Sequence, residues 1–172
     1  MRAIFVILSV ILVCGCTDLV AKKVPLCENK TEQYEKDACY MEFAVIGNDL
    51  DVCNSIQSQN NKMMCMGIIM KDTGKCDEIK ASNDSVQACY AYALRDPSYC
   101  DKIQSKTSKT GCYALSLLLN DDASACARFS MVDYRDRCLL KNARLINDTA
   151  LCGEIQNQTI KQSCEKISNH SA

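Results

Sequence analysis

Twelve cysteines stand along the chain as six pairs, Cys27 and Cys39, Cys53 and Cys65, Cys76 and Cys89, Cys100 and Cys112, Cys126 and Cys138, Cys152 and Cys164. Members of a pair are 12 residues apart in five cases and 13 in one, whereas the gaps between pairs range from 11 to 14. A separation that holds while its neighbours drift marks a physical link between the pair members. First cysteines follow one another at steps of 26, 23, 24, 26 and 26 residues, so the chain is an internal repeat. A period of roughly 20–50 residues decides the fold class before any single motif is read.

Four residues before the first cysteine stands Asp in five of six repeats, as Asp49, Asp72, Asp96, Asp122 and Asp148. An Asp there accepts hydrogen bonds from the free N–H groups of a helix's first turn and suits the positive end of its dipole, so each is read as an N-cap. Pro97 follows Asp96 at the first helical position, where its fixed φ is favourable and its missing N–H costs nothing. Three residues after the first cysteine come Ile56, Ile79, Ile103 and Ile155, with Phe129 in the fifth repeat and Lys30 in the first. Cysteine and Ile then share one buried face at helical spacing. Polar stretches such as Ser105-Lys106-Thr107-Ser108 end this helix, and a second helix carries the second cysteine. No segment alternates with period two, so strands are not expected.

In an antiparallel hairpin Cys100 and Cys112 lie symmetrically about Lys106, and helix axes about 8–10 Å apart let facing Cα atoms reach the roughly 5.5 Å of a disulfide. The rival scheme, joining Cys39 to Cys53 and so on, strands Cys27 and Cys164 and must span variable gaps. The expected bonds are therefore Cys27–Cys39, Cys53–Cys65, Cys76–Cys89, Cys100–Cys112, Cys126–Cys138 and Cys152–Cys164. The expected fold is all-α, a solenoid-like array of six short disulfide-stapled helical hairpins over residues 27–172. A hairpin of this size cannot bury enough apolar area to stand alone, so a staple and a stacked neighbour supply the rest. Tetratricopeptide-like solenoids are similar in kind, although their period of about 34 and their Trp, Gly, Tyr, Ala and Pro signature are absent. Ala38, Ala88, Gly111 and Ser163, just before second cysteines, are read as small residues that let the two helices approach.

With 14 Cys in 172 residues, the composition points to a disulfide scaffold and hence to an oxidising compartment. Residues 1–15 read as an export signal, with Arg2 followed by an apolar run from Ala3 to Val13 that is too short for an ordinary spanning helix. The sequence Val13-Cys14-Gly15-Cys16 resembles the lipobox of prokaryotic lipoproteins, with Cys14 at a position usually small. That resemblance implies cleavage before Cys16, lipidation of its thiol and a tether over residues 16–26. Cleavage there leaves 13 cysteines, of which the repeats take 12. An uncleaved signal anchor, or an odd free thiol, are the alternatives. Small cysteine-rich helical-repeat lipoproteins of this kind look archaeal. Two acyl chains suffice for stable attachment, so the expected location is the extracytoplasmic face of the cell membrane, lipid-anchored.

Net charge is −1 with Lys and Arg scattered, so no nucleic-acid surface is implied. Asn-X-Ser/Thr sequons at Asn29, Asn83, Asn147, Asn157 and Asn169 exceed chance and are candidate glycosylation sites, although Asn-Asp-Ser and Asn-Asp-Thr also serve as capping sequences. There is no CxxC, and the single His, His170, lies near the C-terminus, so no metal site, no cofactor and no thioredoxin-like centre is expected. The Met-rich segment Met63-Met64-Cys65-Met66 reads as adaptable core filling, and Tyr40, Tyr90 and Tyr113 as packing between repeats. No nucleophile elbow or phosphate loop appears, so no catalytic residue is assigned. The expectation is a non-enzymatic binding or structural module with a protein partner that the residues do not name. The alternative is a thiol redox or metal-handling protein of the cell envelope.

Overall fold

The computed structural model describes residues 25–166, which form helices joined by short turns, with no strand among them. The leader, Cys16, residues 17–24 of the tether, Asn169 and His170 lie outside the described residues. The chain divides at Ile79 into two compact units. The first contains α1 (Pro25–Glu28), α2 (Gln33–Gly47), α3 (Leu50–Cys53), α4 (Gln59–Met70) and α5 (Thr73–Asp77). The second contains α6 (Asn83–Ala93), α7 (Lys106–Leu119), α8 (Val132–Ile146) and α9 (Gln158–Glu165), with three 3-10 turns, η1 (Pro97–Lys102), η2 (Ala123–Arg128) and η3 (Thr149–Glu154).

Each repeat is a staple between unequal partners, a first element of one or two turns and a second helix of eight to fifteen residues. Disulfides join Cys27 to Cys39, Cys53 to Cys65, Cys100 to Cys112, Cys126 to Cys138 and Cys152 to Cys164, with Cα separations of 5.5 to 5.8 Å. Cys76 and Cys89 are both disulfide-bonded as well. Ile56, Ile79, Ile103, Phe129 and Ile155 are all buried close to the sulfurs in sequence. At about 1.5–3 kcal/mol for a fully buried side chain of this size, these anchors are what repeats two to six have in place of large aromatic clusters. Met63 is buried and Met66 packs against the core of the first unit, whereas Met70 is half exposed.

The junction between repeats is a compact turn built on Asp. Asn48, Lys71, Arg95 and Asn147 have φ between 50 and 55°, the left-handed conformation that ends a helix. The Asp that follows each donates its own N–H to a carbonyl five residues back, at Ala44, Gly67, Ala91 and Ala143 respectively. Its side chain at the same time accepts the N–H two residues ahead, which starts the next element. Each Asp thus closes one helix and caps the next. The four carbonyls belong to Ala or Gly, and all four residues are buried. Leu117 holds that place in the fourth repeat. There the helix ends at Leu119, Asn120 is extended at φ −99°, and Asp121, in the place of the four left-handed residues, is not left-handed, although Asp122 still caps through Ser124 N–H. Lys141, from α8, satisfies the open end instead, donating to Leu117 O, Leu118 O and Asn120 O at 2.9–3.1 Å.

Two expectations change. Ser82, Ser105 and Asn157 cap the second helices rather than ending the first, as Ser58 also does, and Lys106 is the first residue of α7 instead of lying inside a turn. A Ser after a short turn meets free N–H groups at once, so the second helix begins as soon as the chain reverses. Three of the four small residues before second cysteines do not lie where helices approach, Ala88 alone being half-buried. Ala38, Gly111 and Ser163 are exposed, and a Cβ added at Gly111 would meet nothing within 4 Å. The disulfide, not a small-residue contact, sets the spacing.

Candidate functional site

Beside each disulfide lie the two residues that follow its cysteines. Acid and tyrosine occupy these places together in repeats one, three and four, as Glu28 with Tyr40, Asp77 with Tyr90 and Asp101 with Tyr113. In repeats two, five and six no tyrosine stands there and the first cysteine is followed by Asn54, Ala127 and Gly153. The Tyr40 hydroxyl donates to Glu28 Oε1, and the Tyr113 hydroxyl to Asp101 Oδ1. Ser130 Oγ, from the next repeat, lies 2.8 Å from the Tyr113 hydroxyl and 2.7 Å from Asp101 Oδ1. The Tyr113 ring also stacks on Tyr134 at 5.4 Å and tilts against Phe129 at 5.9 Å. Tyr113 therefore packs towards the next repeat, as Tyr90 does against Tyr99, and Tyr40 and Tyr113 also clamp their own repeats beside the disulfide. The hydrogen bond to Glu28, aided by burial, pushes the Tyr40 phenol up to about 12. Burial first, then the bond to Asp101, does the same for Tyr113.

Twenty-six residues further along, the same constellation is emptied. Ala127 takes the place of Asp101, Leu139 that of Tyr113 and Gln156 that of Ser130. These three residues line a cleft of about 450 Å3. Leu139 is buried and Leu151 half-buried, and together with Ala127 they supply its apolar wall. Arg135 and Glu154 bring opposite charges to the same cleft. The Arg135 guanidinium lies 3.4 Å from Asp136 Oδ1 and keeps a quarter of its side chain exposed. The arrangement combines an apolar slot with a hydrogen-bond donor, a carboxylate and an amide, a lining that can accommodate an amphipathic group.

Other candidate residues are placed as follows. Asn29, Asn83, Asn147 and Asn157 are all exposed. Asn147 is the left-handed end of α8, and the Asn157 side chain caps α9 by accepting from Thr159 and Ile160 N–H. Asp49, Asp72, Asp96, Asp122 and Asp148 each accept the N–H two residues on. Among the described residues no group of three or more His, Cys, Asp or Glu is placed to hold a metal ion, and no helix is long and apolar enough to cross a membrane.

Sequence reasoning missed a second set of carboxylates. Asp37 and Asp136 are buried and Asp84 half-buried. Each accepts two consecutive backbone N–H groups at the start of the next repeat's second helix, those of Gln57 and Ser58, Gln104 and Ser105, and Gln156 and Asn157. Every grip spans 20 and 21 residues and falls in alternate repeats, joining one to two, three to four and five to six. The signal was available as an Asp two residues before Cys39 and Cys138, a polar residue on a face that should be apolar. Comparison with protein-family models, with curated proteins and with solved structures gives no match.

Proposed function

We propose that this protein is an exported lipoprotein, held on the extracytoplasmic face of the cell membrane by lipid on Cys16, and that its repeats act as a non-enzymatic binding or structural module. The observation that carries this reading is that all twelve repeat cysteines are disulfide-bonded. Such a framework persists in oxidising compartments outside the cytosol. It leaves Cys16 as the cysteine of the proposed mature chain without a place in the repeats, directly after Gly15 in a lipobox-like sequence. The cleft between η2, η3 and α8, with its mixed lining, supports a binding role over a purely structural one.

The test is an intact-mass measurement on the natively exported chain, alkylated with and without prior reduction. The reading requires an N-terminus at a lipidated Cys16 and no thiol that alkylates before reduction. Several free thiols, or a retained metal, would instead favour a redox or metal-handling protein. Cys16→Ser should move the protein out of the membrane fraction without altering its disulfides.

A further inference from the structure

We propose that the cleft of the fifth repeat is a docking site for a tyrosine side chain of a partner protein, held where the fourth repeat holds its own Tyr113. The fourth and fifth repeats align in sequence at a step of 26 residues, Cys100 with Cys126 and Cys112 with Cys138, so the comparison is residue by residue. In the fourth, a phenol ring sits beside the Cys100–Cys112 disulfide and its hydroxyl reaches Asp101 and Ser130. In the fifth, the ring is replaced by Leu139 and the acid by Ala127, two truncations in contact with one space, and that space is the cleft. The polar groups have moved rather than vanished. Glu154 and Gln156 line the cleft and can accept a phenol hydrogen, and Arg135, where the fourth repeat has Lys109, can donate to its oxygen. Leu139, Leu151 and Ala127 offer an apolar wall for the ring. A charged guest fits less well, because Arg135 and Glu154 oppose each other in sign across the same lining. A purely aliphatic guest would cover Glu154 and Gln156 without offering either a hydrogen-bond partner, while Arg135 keeps Asp136.

Tyrosine also has the economy expected of an anchor, a large rigid ring with few rotatable bonds and one polar tip. This inference deepens the binding-module reading and rests on it for its purpose. Its test is read at the cleft, so failure of the lipid anchor and failure of the cleft to bind are separate results.

The experiment uses the full chain with its disulfides intact in lipid nanodiscs, methyl-labelled at Leu, and the probes N-acetyl-tyrosine amide and N-acetyl-phenylalanine amide. The expected result is a saturable shift of the Leu139 and Leu151 methyls by the tyrosine probe at roughly millimolar concentration, with binding several-fold weaker for the phenylalanine probe. The double variant Ala127→Asp with Leu139→Tyr rebuilds the internal pair, fills the cleft and should weaken binding at least about tenfold. Ala127→Leu, a change at an exposed position, fills the same space if the double variant does not fold. Absence of a saturable shift, equal binding of the two probes, or binding that survives Ala127→Leu overturns the proposal.

Discussion

Asp136 is fully buried, and its carboxylate accepts the backbone N–H of Asn157 at 2.6 Å, tying the fifth repeat to the start of the last helix. Asp37 does the same for Ser58 at 2.9 Å, and Asp84 for Ser105 at 3.0 Å. A carboxylate that takes two adjacent N–H groups at a helix start meets both the free donors and the positive end of the dipole. The array is therefore built from coupled pairs of hairpins, a level of order above the cysteine period.

Asp136→Asn should cost about 2 kcal/mol, because the amide accepts fewer hydrogen bonds and turns an N–H toward buried donors. Native-state hydrogen exchange at Gln156 and Asn157 should quicken by about thirtyfold. An unchanged rate at both amides would show that the grip contributes nothing.

Acid should loosen the grips of Asp37 and Asp84. Burial pushes the Asp37 carboxyl up, but hydrogen bonds from Gln57 and Ser58 N–H and from Gln33 outweigh it and hold the group below its ordinary value. The two N–H groups of Gln104 and Ser105 lower Asp84 likewise. A depressed carboxyl stabilises the fold fully above the unfolded value, about pH 4, and the benefit is lost as pH falls through the folded value. Denaturation midpoints should be flat above about pH 5 and drop below about pH 4. Asp37→Asn should be less stable at neutral pH and show a shallower drop.

At the other extreme, Tyr40, Tyr92 and Tyr113 should ionise near pH 12, Tyr92 because of burial. The folded values lie above the ordinary 10, so the stability they give is full below pH 10 and is lost as pH rises through about 12. Absorbance titration of the phenols checks it, and Tyr113→Phe should remove one late-titrating group at a cost of about 1 kcal/mol.

Lys71 is exposed and left-handed at φ 54°. Lys71→Gly should raise stability by up to about 1 kcal/mol, since glycine adopts that conformation without the Cβ penalty. Ala143→Leu should do the reverse, by about 1–3 kcal/mol, because it overfills the buried turn that Asp148 closes. Thermal midpoints of the two variants should move in opposite directions.

Replacing Cys100 by Ser should leave Cys112 alkylatable and the other five bonds intact, at a loss of up to about 3 kcal/mol in the chain-entropy model. Mass mapping of alkylated peptides reads the outcome. A different free cysteine would mean that the pairs exchange partners.

The spacing of cysteines, the Asp four residues earlier and the Ile three residues later made the stapled helical repeat legible, because they depend on contacts local in sequence and recur at a fixed offset. Co-occurrence of acid and tyrosine beside the disulfides was equally visible in the chain, but its meaning was not. Nothing in Asp101, Tyr113 and Ser130 as letters says that three residues from two repeats converge on one hydroxyl. The place of Asp37 and Asp136 on an apolar face was visible too, but their partners were not, since a buried carboxylate is tolerable only when specific distant N–H groups reach it. Lys106 was misplaced because Ser105 serves equally well in a turn and as a cap, and only the geometry of the reversal decides between them.

By itself, the sequence determined that the chain is all-helical and repeats on a cysteine-pair rhythm, since loop length and capping chemistry are properties of short segments. The tertiary structure alone decided how neighbouring repeats grip each other and where the fifth repeat is left open. Both depend on which side chains of adjacent repeats meet in space, and a cleft is defined by what fails to fill it.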